Sequence, residues 1–524
     1  MEGKTVLFRN ATVVDGTGNA PLCADVLVKG TMIEAVIGPN SNASCEETID
    51  ATGLILCPGF MDIHAHSDLE VLRNPAMEKK IQQGITFDLS GNCGAGVFPR
   101  RADSPAAFAD ILGHYGNWNW TGFRDYASQL KPGINMAFLQ AHGSLRNTAV
   151  EGNPNRKATD SEIERMCSLL DASISDGCFG FSTGLYYAPC MFASRKELVA
   201  LLSVVKKHDA VFAVHHRCEG DDILPSIDEV ISLVRETGVK FEVSHLKAIG
   251  RKNQDKVPLV LEKLHALKDN GFDVAFDQYP YEYGSTSLFS LLPPDLLKLK
   301  SEDLSEVLKK TRTDGNLRDD IIREMEHPHN WDSITELCPW EDVSVVLLES
   351  SPEYNGLNLL QVAEKLSEDP YQALFDLLAK ERGVALMADI TQSLQSLRTI
   401  FEDDMMLFGT DALYTGNTAH PRSANGAIHI LYERCVKEDY PFEKVIAKMT
   451  GSVARRLGIR DRGLVKEGCK ADLVLFDPKT LKDNSSLGKP FEMCSGLESV
   501  MVNGAFAFRS GRLTHSQSGI VIRF

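Results

Sequence analysis

No apolar run in this chain approaches the roughly 20 residues a helix needs to cross a bilayer, so a membrane span is not expected. The opening Met1-Glu2-Gly3-Lys4 lacks the pattern of a signal peptide. A basic excess is missing too. The 55 Lys and Arg stand against 72 Asp and Glu, giving a net charge of −17. Phosphate backbones are bound by basic faces, so no nucleic-acid partner is expected. The 12 cysteines show no dense, regular spacing, which argues against a disulfide-stapled secreted fold. The expectation is a cytoplasmic chain with reduced cysteines that mostly serve packing. Its acidity reads as a solvated surface, and a small anionic substrate would need local cations at its site.

What is present is ordinary globular material: 524 residues, 43% hydrophobic and 24% charged. That length suits two to four domains, or one large barrel with attachments. Both ends are β-rich. Thr5–Asn10, Thr12–Gly16, Asp25–Gly30 and Ile33–Gly38 read as short strands, and so do Ala471–Asp477 and Ser499–Gly504. The simplest assembly pairs residues 1–58 with 465–524 as one small β-sandwich domain.

The centre, 59–464, alternates strand and helix. Strand-like Ile134–Leu139, Cys178–Ser182, Ala210–His215 and Lys240–Ser244 precede helical stretches near 159–175, 194–208, 225–237 and 256–270. Repeated βα units of this kind predict an α/β fold, a TIM-type (β/α)8 barrel with its chemistry at the C-terminal strand ends. Residues about 289–345 break the pattern with charged helical sequence and read as an insertion. An inserted helical lid is the functional expectation, and solvated decoration is the alternative.

Candidate ligands follow one strand-like run after another. They are His64 and His66, Cys93 in Ser90-Gly91-Asn92-Cys93-Gly94, His215 or His216, His245, and Asp411 in Phe408-Gly409-Thr410-Asp411. Any one alone has a bland explanation as a packed or surface residue. Several at equivalent strand ends point to one site. Imidazole and thiolate are good zinc ligands, and a neighbouring carboxylate can move protons, for which Asp411 is the candidate. His215 and His216 point to opposite faces of a strand, so only one can join.

These residues resemble a family. Pro58-Gly59-Phe60-Met61-Asp62-Ile63-His64-Ala65-His66 looks like the opening signature of the amidohydrolase superfamily. Gly91-Asn92-Cys93-Gly94, His215-His216-Arg217-Cys218-Glu219 and Ser244-His245-Leu246-Lys247 narrow it to the N-acyl-D-amino-acid deacylases, or D-aminoacylases. Tyr279-Pro280-Tyr281 through Thr286, Gly409-Thr410-Asp411 and His420-Pro421-Arg422 fit the same branch. The resemblance selects His215 over His216. It implies tightly held Zn2+ on Cys93, His215 and His245, and a second, weaker position near His64 and His66 with Cys93 between them. It gives Asp411 the acid/base role, and Lys247, Tyr279, Ser285 and Arg422 contact with the substrate. The implied reaction is hydrolysis of a small N-acyl amino acid, expected in the D form. A D-dipeptidase, a cyclic-amide hydrolase and a non-catalytic scaffold stay open. Two departures stand out: bulky Glu282 and Tyr283 where the family has small residues, and Asp88 on the strand before Cys93.

Overall fold

Strand and helix alternate through the centre of the computed structural model, which describes residues 4–100, 119–329, 331–381, 384–414 and 420–524. The parallel strands are β1 (Phe60–Asp62), β2 (Ile85–Ser90), β3 (Asn135–Phe138), β4 (Gly180–Gly184), β5 (Val211–His215), β6 (Lys240–Val243), β7 (Val274–Gln278) and β8 (Met406–Phe408). β1, β2 and β3 form one sheet; Gln140–Ala141 and β4 to β8, in order, form another. Hydrogen bonds tie the two sheets at both edges. Leu139 N–H donates to Ser90 O at 2.9 Å and Phe179 N–H to Phe138 O at 2.8 Å. At the far edge Ile63 N–H donates to Phe408 O at 3.2 Å. Every residue of β2, β4, β5 and β7 is buried, as expected of parallel strands covered on both faces.

The helices start and stop where local chemistry directs. Asp160–Ser175 opens with a capping box, Thr159 and Glu162 satisfying each other's backbone N–H. Arg195–Lys207 starts on Ser194, whose Oγ accepts from Glu197 N–H. Ile223–Thr237 ends on Gly238, in the left-handed region at φ 68°. Val257–Asp269 carries Pro258 in its first turn, where a missing N–H costs nothing.

The two chain ends share one sheet. Leu473–Phe476 runs antiparallel to Ile55–Pro58, and nine strands are hydrogen-bonded together. Hydrogen bonding thus joins both chain ends in the small β unit expected from the sequence. Thr5–Val13 is one strand, not two: a bulge with Asn10 at φ 58° carries the chain past the expected break.

The stretch 289–345, expected as an insertion, lies within a unit that has its own antiparallel sheet. Helices Ser301–Lys310, Gly315–Glu326 and Ile334–Leu337 fill that range, but three antiparallel strands frame it: Tyr283–Ser287, Val343–Leu348 and Ala385–Ile390. Leu308, Met325, Leu359, Phe375 and Met387 share its own apolar cluster. Val343–Leu348 and Ala385–Ile390 are as apolar as the parallel strands, and their antiparallel pairing in a separate sheet sets them apart. No described helix is long and apolar enough to cross a membrane.

Candidate metal centre

The proposed ligands converge at the C-terminal ends of the parallel strands. Cys93 Sγ lies 3.3 Å from His64 Nε2 and 3.3 Å from His245 Nε2. His215 Nδ1 is 2.9 Å from His245 Nε2. Asp411 Oδ1 is 3.1 Å from His66 Nε2 and 3.5 Å from His64 Nε2. His64, Cys93, His245 and Asp411 each offer a ligand atom within 4.8 Å of the others. His216 turns away: its Nδ1 meets Ser226 Oγ at 3.1 Å, and burial holds its pKa down at about 3.

The donor set fits a zinc ion. Zn–S near 2.3 Å and Zn–N near 2.0–2.1 Å at tetrahedral angles separate sulfur from nitrogen by roughly 3.5 Å, close to the Cys93 spacings. His215 Nε2 and His66 Nδ1 are buried with no hydrogen-bond partner, so neither ring is already fully committed. Cys93, His245 and Asp411 all have left-handed backbones, at φ 52°, 35° and 50°. Each such residue costs on the order of 1–3 kcal/mol, and three in one site mark a place where the fold tolerates strain for position.

Charge is arranged around them. Burial opposes ionisation of the Cys93 thiol, yet His245 and His64 bring it well below its ordinary range, toward thiolate. Asp411 is also held well below the usual carboxylate range: burial resists, and Arg422, then His66, overcome it. Arg422 Nη1 lies 2.9 Å from Asp411 Oδ2, and Nη2 donates to Ser285 O at 3.1 Å. Its guanidinium lies 4.7 Å from the Tyr279 ring centroid. Lys247 Nζ donates to Glu219 Oε1 at 2.7 Å and sits 2.9 Å from His245 Nδ1. Tyr279 Oη is buried without a partner.

Lys247, Tyr279 and Arg422 therefore lie together, while Ser285 reaches the group through its carbonyl. On its strand Ser285 occupies the face opposite Gly284 and Thr286. Asp277 was missed in the sequence. It lies 3.1 Å from His64 Nδ1 and accepts His245 N–H at 3.0 Å, so one carboxylate orients two candidate ligands. Its signal was there, an acid ending the apolar Val274–Phe276 run. Asp62 does similar work, accepting the N–H of His64 at 3.1 Å and of Thr410 at 2.8 Å. Lys80, fully buried, contacts Asp62 and stands 2.8 Å from Asp88. Asp88 also accepts Ser67 Oγ–H at 2.7 Å.

A model of the amidohydrolase family matches residues 47–315 and 357–506, leaving out part of the inserted unit. A D-aminoacylase of Alcaligenes xylosoxydans xylosoxydans is 30% identical over 99% of this chain and 97% of its own. An N-acyl-D-aspartate deacylase of the same organism is 29% identical over 98% and 94%. The crystal structure of N-acyl-D-glutamate deacylase from Bordetella bronchiseptica, complexed with zinc and a phosphonate mimic of the tetrahedral intermediate, is 27% identical. It superposes with a TM-score of 0.85 and 100% coverage of both chains. With a family match over most of its length and full-length relatives at this identity, the chain belongs to the amidohydrolase family, in its N-acyl-D-amino-acid deacylase branch.

Proposed function

We propose that this protein is a zinc-dependent hydrolase that cleaves the amide bond of N-acyl-D-amino acids, releasing a carboxylic acid and the free amino acid. The observation that carries the reading is the Cys93 thiol, 3.3 Å from Nε2 of both His64 and His245, with the Asp411 carboxylate alongside. The D configuration and the acyl amide come from the relatives named for them. In this reading the parallel strands close as a (β/α)8 barrel over 59–464. Residues 1–58 and 465–524 form the small β domain, and the inserted unit is a lid.

Cys93, His215 and His245 would hold zinc tightly, and His64 and His66 the weaker second position. Bound zinc supplies Lewis acidity toward the acyl carbonyl and lowers the pKa of a water. Asp411 takes the proton of the attacking water and passes it to the departing nitrogen, so the C–N bond breaks with a neutral amine leaving. Arg422 fixes the other Asp411 oxygen and keeps the carboxylate ionised. Lys247, Tyr279 and Arg422 would orient the substrate's own carboxylate, with Lys247 fixed in place by Glu219. Burial of Asp411, 8% exposed, limits competing water.

Zinc content and turnover measured on one purified sample test this. The substrates are paired D and L N-acyl forms of Met, Phe, Leu, Glu and Asp. D-selective release by a zinc-containing protein is expected. Zinc without turnover would replace the reading with a dipeptide or cyclic-amide substrate. Neither zinc nor turnover would leave a non-catalytic scaffold.

A further inference from the structure

Two described cations flank Tyr279, and each already faces a carboxylate. Lys247 Nζ, 5.9 Å from the Tyr279 ring centroid, donates to Glu219. Arg422 faces Asp411. A third carboxylate, Asp389, comes from the inserted unit and is 5% exposed. Lys247, Arg422 and Glu219 are its main charged neighbours. It pairs in register with Gly284 across two antiparallel strands. A Cβ on Gly284 would lie 3.1 Å from Tyr279 Oη, 3.3 Å from Asp389 Oδ1 and 4.0 Å from Thr391 Oγ1. Tyr279 Oη and Thr391 Oγ1 are both buried without a partner. One point beside the cations is thus lined by a carboxylate and two uncommitted hydroxyls. In the sequence, the segment 415–419 that follows the Asp411 turn is Thr-Gly-Asn-Thr-Ala, with no charge.

The substrate's own carboxylate needs the cations that Lys247 and Arg422 provide. A second carboxylate, on the substrate side chain, would meet Asp389 with no described cation left to receive it. Relatives of nearly equal identity are named for D-amino acids generally and for D-aspartate, so identity alone does not choose among substrates.

We propose that Asp389 sets the charge preference of this site, and that the substrates are N-acyl-D-amino acids with uncharged side chains, N-acyl-D-aspartate and N-acyl-D-glutamate being rejected. This rests on the deacylase reading above. Discrimination of this kind comes from a repulsive group as much as from attractive ones.

The test compares kcat/KM of the zinc-loaded full chain on N-acetyl-D-leucine and N-acetyl-D-methionine with that on N-acetyl-D-aspartate and N-acetyl-D-glutamate. A preference of about a hundredfold or more for the uncharged pair is expected. In Asp389→Asn the ratio should fall by about tenfold or more, because the repelling charge is gone. The ratio is taken on one sample, so partial misfolding of the variant leaves it unchanged. Inhibition of the native protein by free D-leucine against free D-glutamate reads the same preference without any variant. Preference for the acidic substrates, or a ratio unmoved in Asp389→Asn, would overturn the inference and leave the deacylase reading standing. No turnover of any D substrate would overturn both.

Discussion

Asp411 sits between a cation on one side and a histidine on the other, and its behaviour follows from that balance. Burial alone would push its carboxyl up, and Arg422 is the largest influence bringing it down. Replacing Arg422 with Met leaves burial less opposed, so the pKa of Asp411 rises. A base must be unprotonated to act, so the acid limb of the kcat/KM profile should move to higher pH in Arg422→Met. An unmoved limb would separate Arg422 from the proton transfer. Asp411→Asn keeps size and shape but cannot take a proton. It should retain zinc by metal analysis and lose about 10²–10⁴ in kcat; near-normal turnover would remove Asp411 from its role. Asp277 touches no substrate in this reading and acts through His64 and His245. Asp277→Asn should weaken zinc binding by about 10–100-fold in a chelator competition, the usual cost of losing an outer partner of a metal ligand.

Asp332 is a second carboxylate that the inserted unit brings to the centre. Its Oδ2 accepts the backbone N–H of Glu219, and that of Gly220 at 3.0 Å. Burial pushes the Asp332 carboxyl up to about 7, with those two N–H groups opposing. Glu219 in turn holds Lys247 at 2.7 Å and lies 3.3 Å from His245 Nδ1. Gly220 has no room for a side chain here: a Cβ would lie 2.6 Å from Leu337 Cδ1 and 2.8 Å from Asp332 Oδ1. Loop and insertion are therefore packed as one piece. Asp332→Ala would leave two buried N–H groups without an acceptor and free Glu219 to shift. A loss of about tenfold or more in kcat/KM is expected, since small misplacements near a reacting centre are costly. Asp332→Asn keeps an acceptor oxygen and should recover most of that loss. Equal activity in both variants and the native protein would uncouple the insertion from the site.

At the scale of the whole molecule, the sequence is legible wherever a residue's role follows from its position along its own strand. His64, Cys93, His215, His245 and Asp411 each end an apolar run, and parallel strands bring such ends to one rim. Pairing is far less legible, because period and composition say nothing about which strand lies alongside. That is why the antiparallel sheet of Tyr283–Ser287, Val343–Leu348 and Ala385–Ile390 has no signature in the sequence and why Asp332, 113 positions from Glu219, gave no signal. The end of the chain has the same cause. β4 begins too late to cover the lower part of β3, and on that side it pairs with Gln140–Ala141 instead. The segment Gly519–Phe524 fills that edge: Met136 N–H donates to Ile520 O at 2.8 Å and Ile522 N–H to Met136 O at 2.8 Å. Phe524 N–H donates to Gly177 O at 3.0 Å, and its ring meets Phe179 edge-on at 5.7 Å. A Cβ on Gly519 would lie 2.0 Å from Ile134 O, so this close approach to β3 requires glycine. Removing residues 519–524 opens a strand edge and forfeits three backbone hydrogen bonds at about 1 kcal/mol each, plus the apolar area of Ile522 and Phe524. Thermal unfolding should begin several degrees lower, and the opened edge should promote aggregation on heating. Because this edge lies at the opposite end of the strands from Cys93 and Asp411, zinc content and kcat per folded molecule should stay near the native values. A truncated protein as stable as the full chain would show that the tail only rests on β3, and a large fall in kcat would show that strand position is transmitted along β3 to the site.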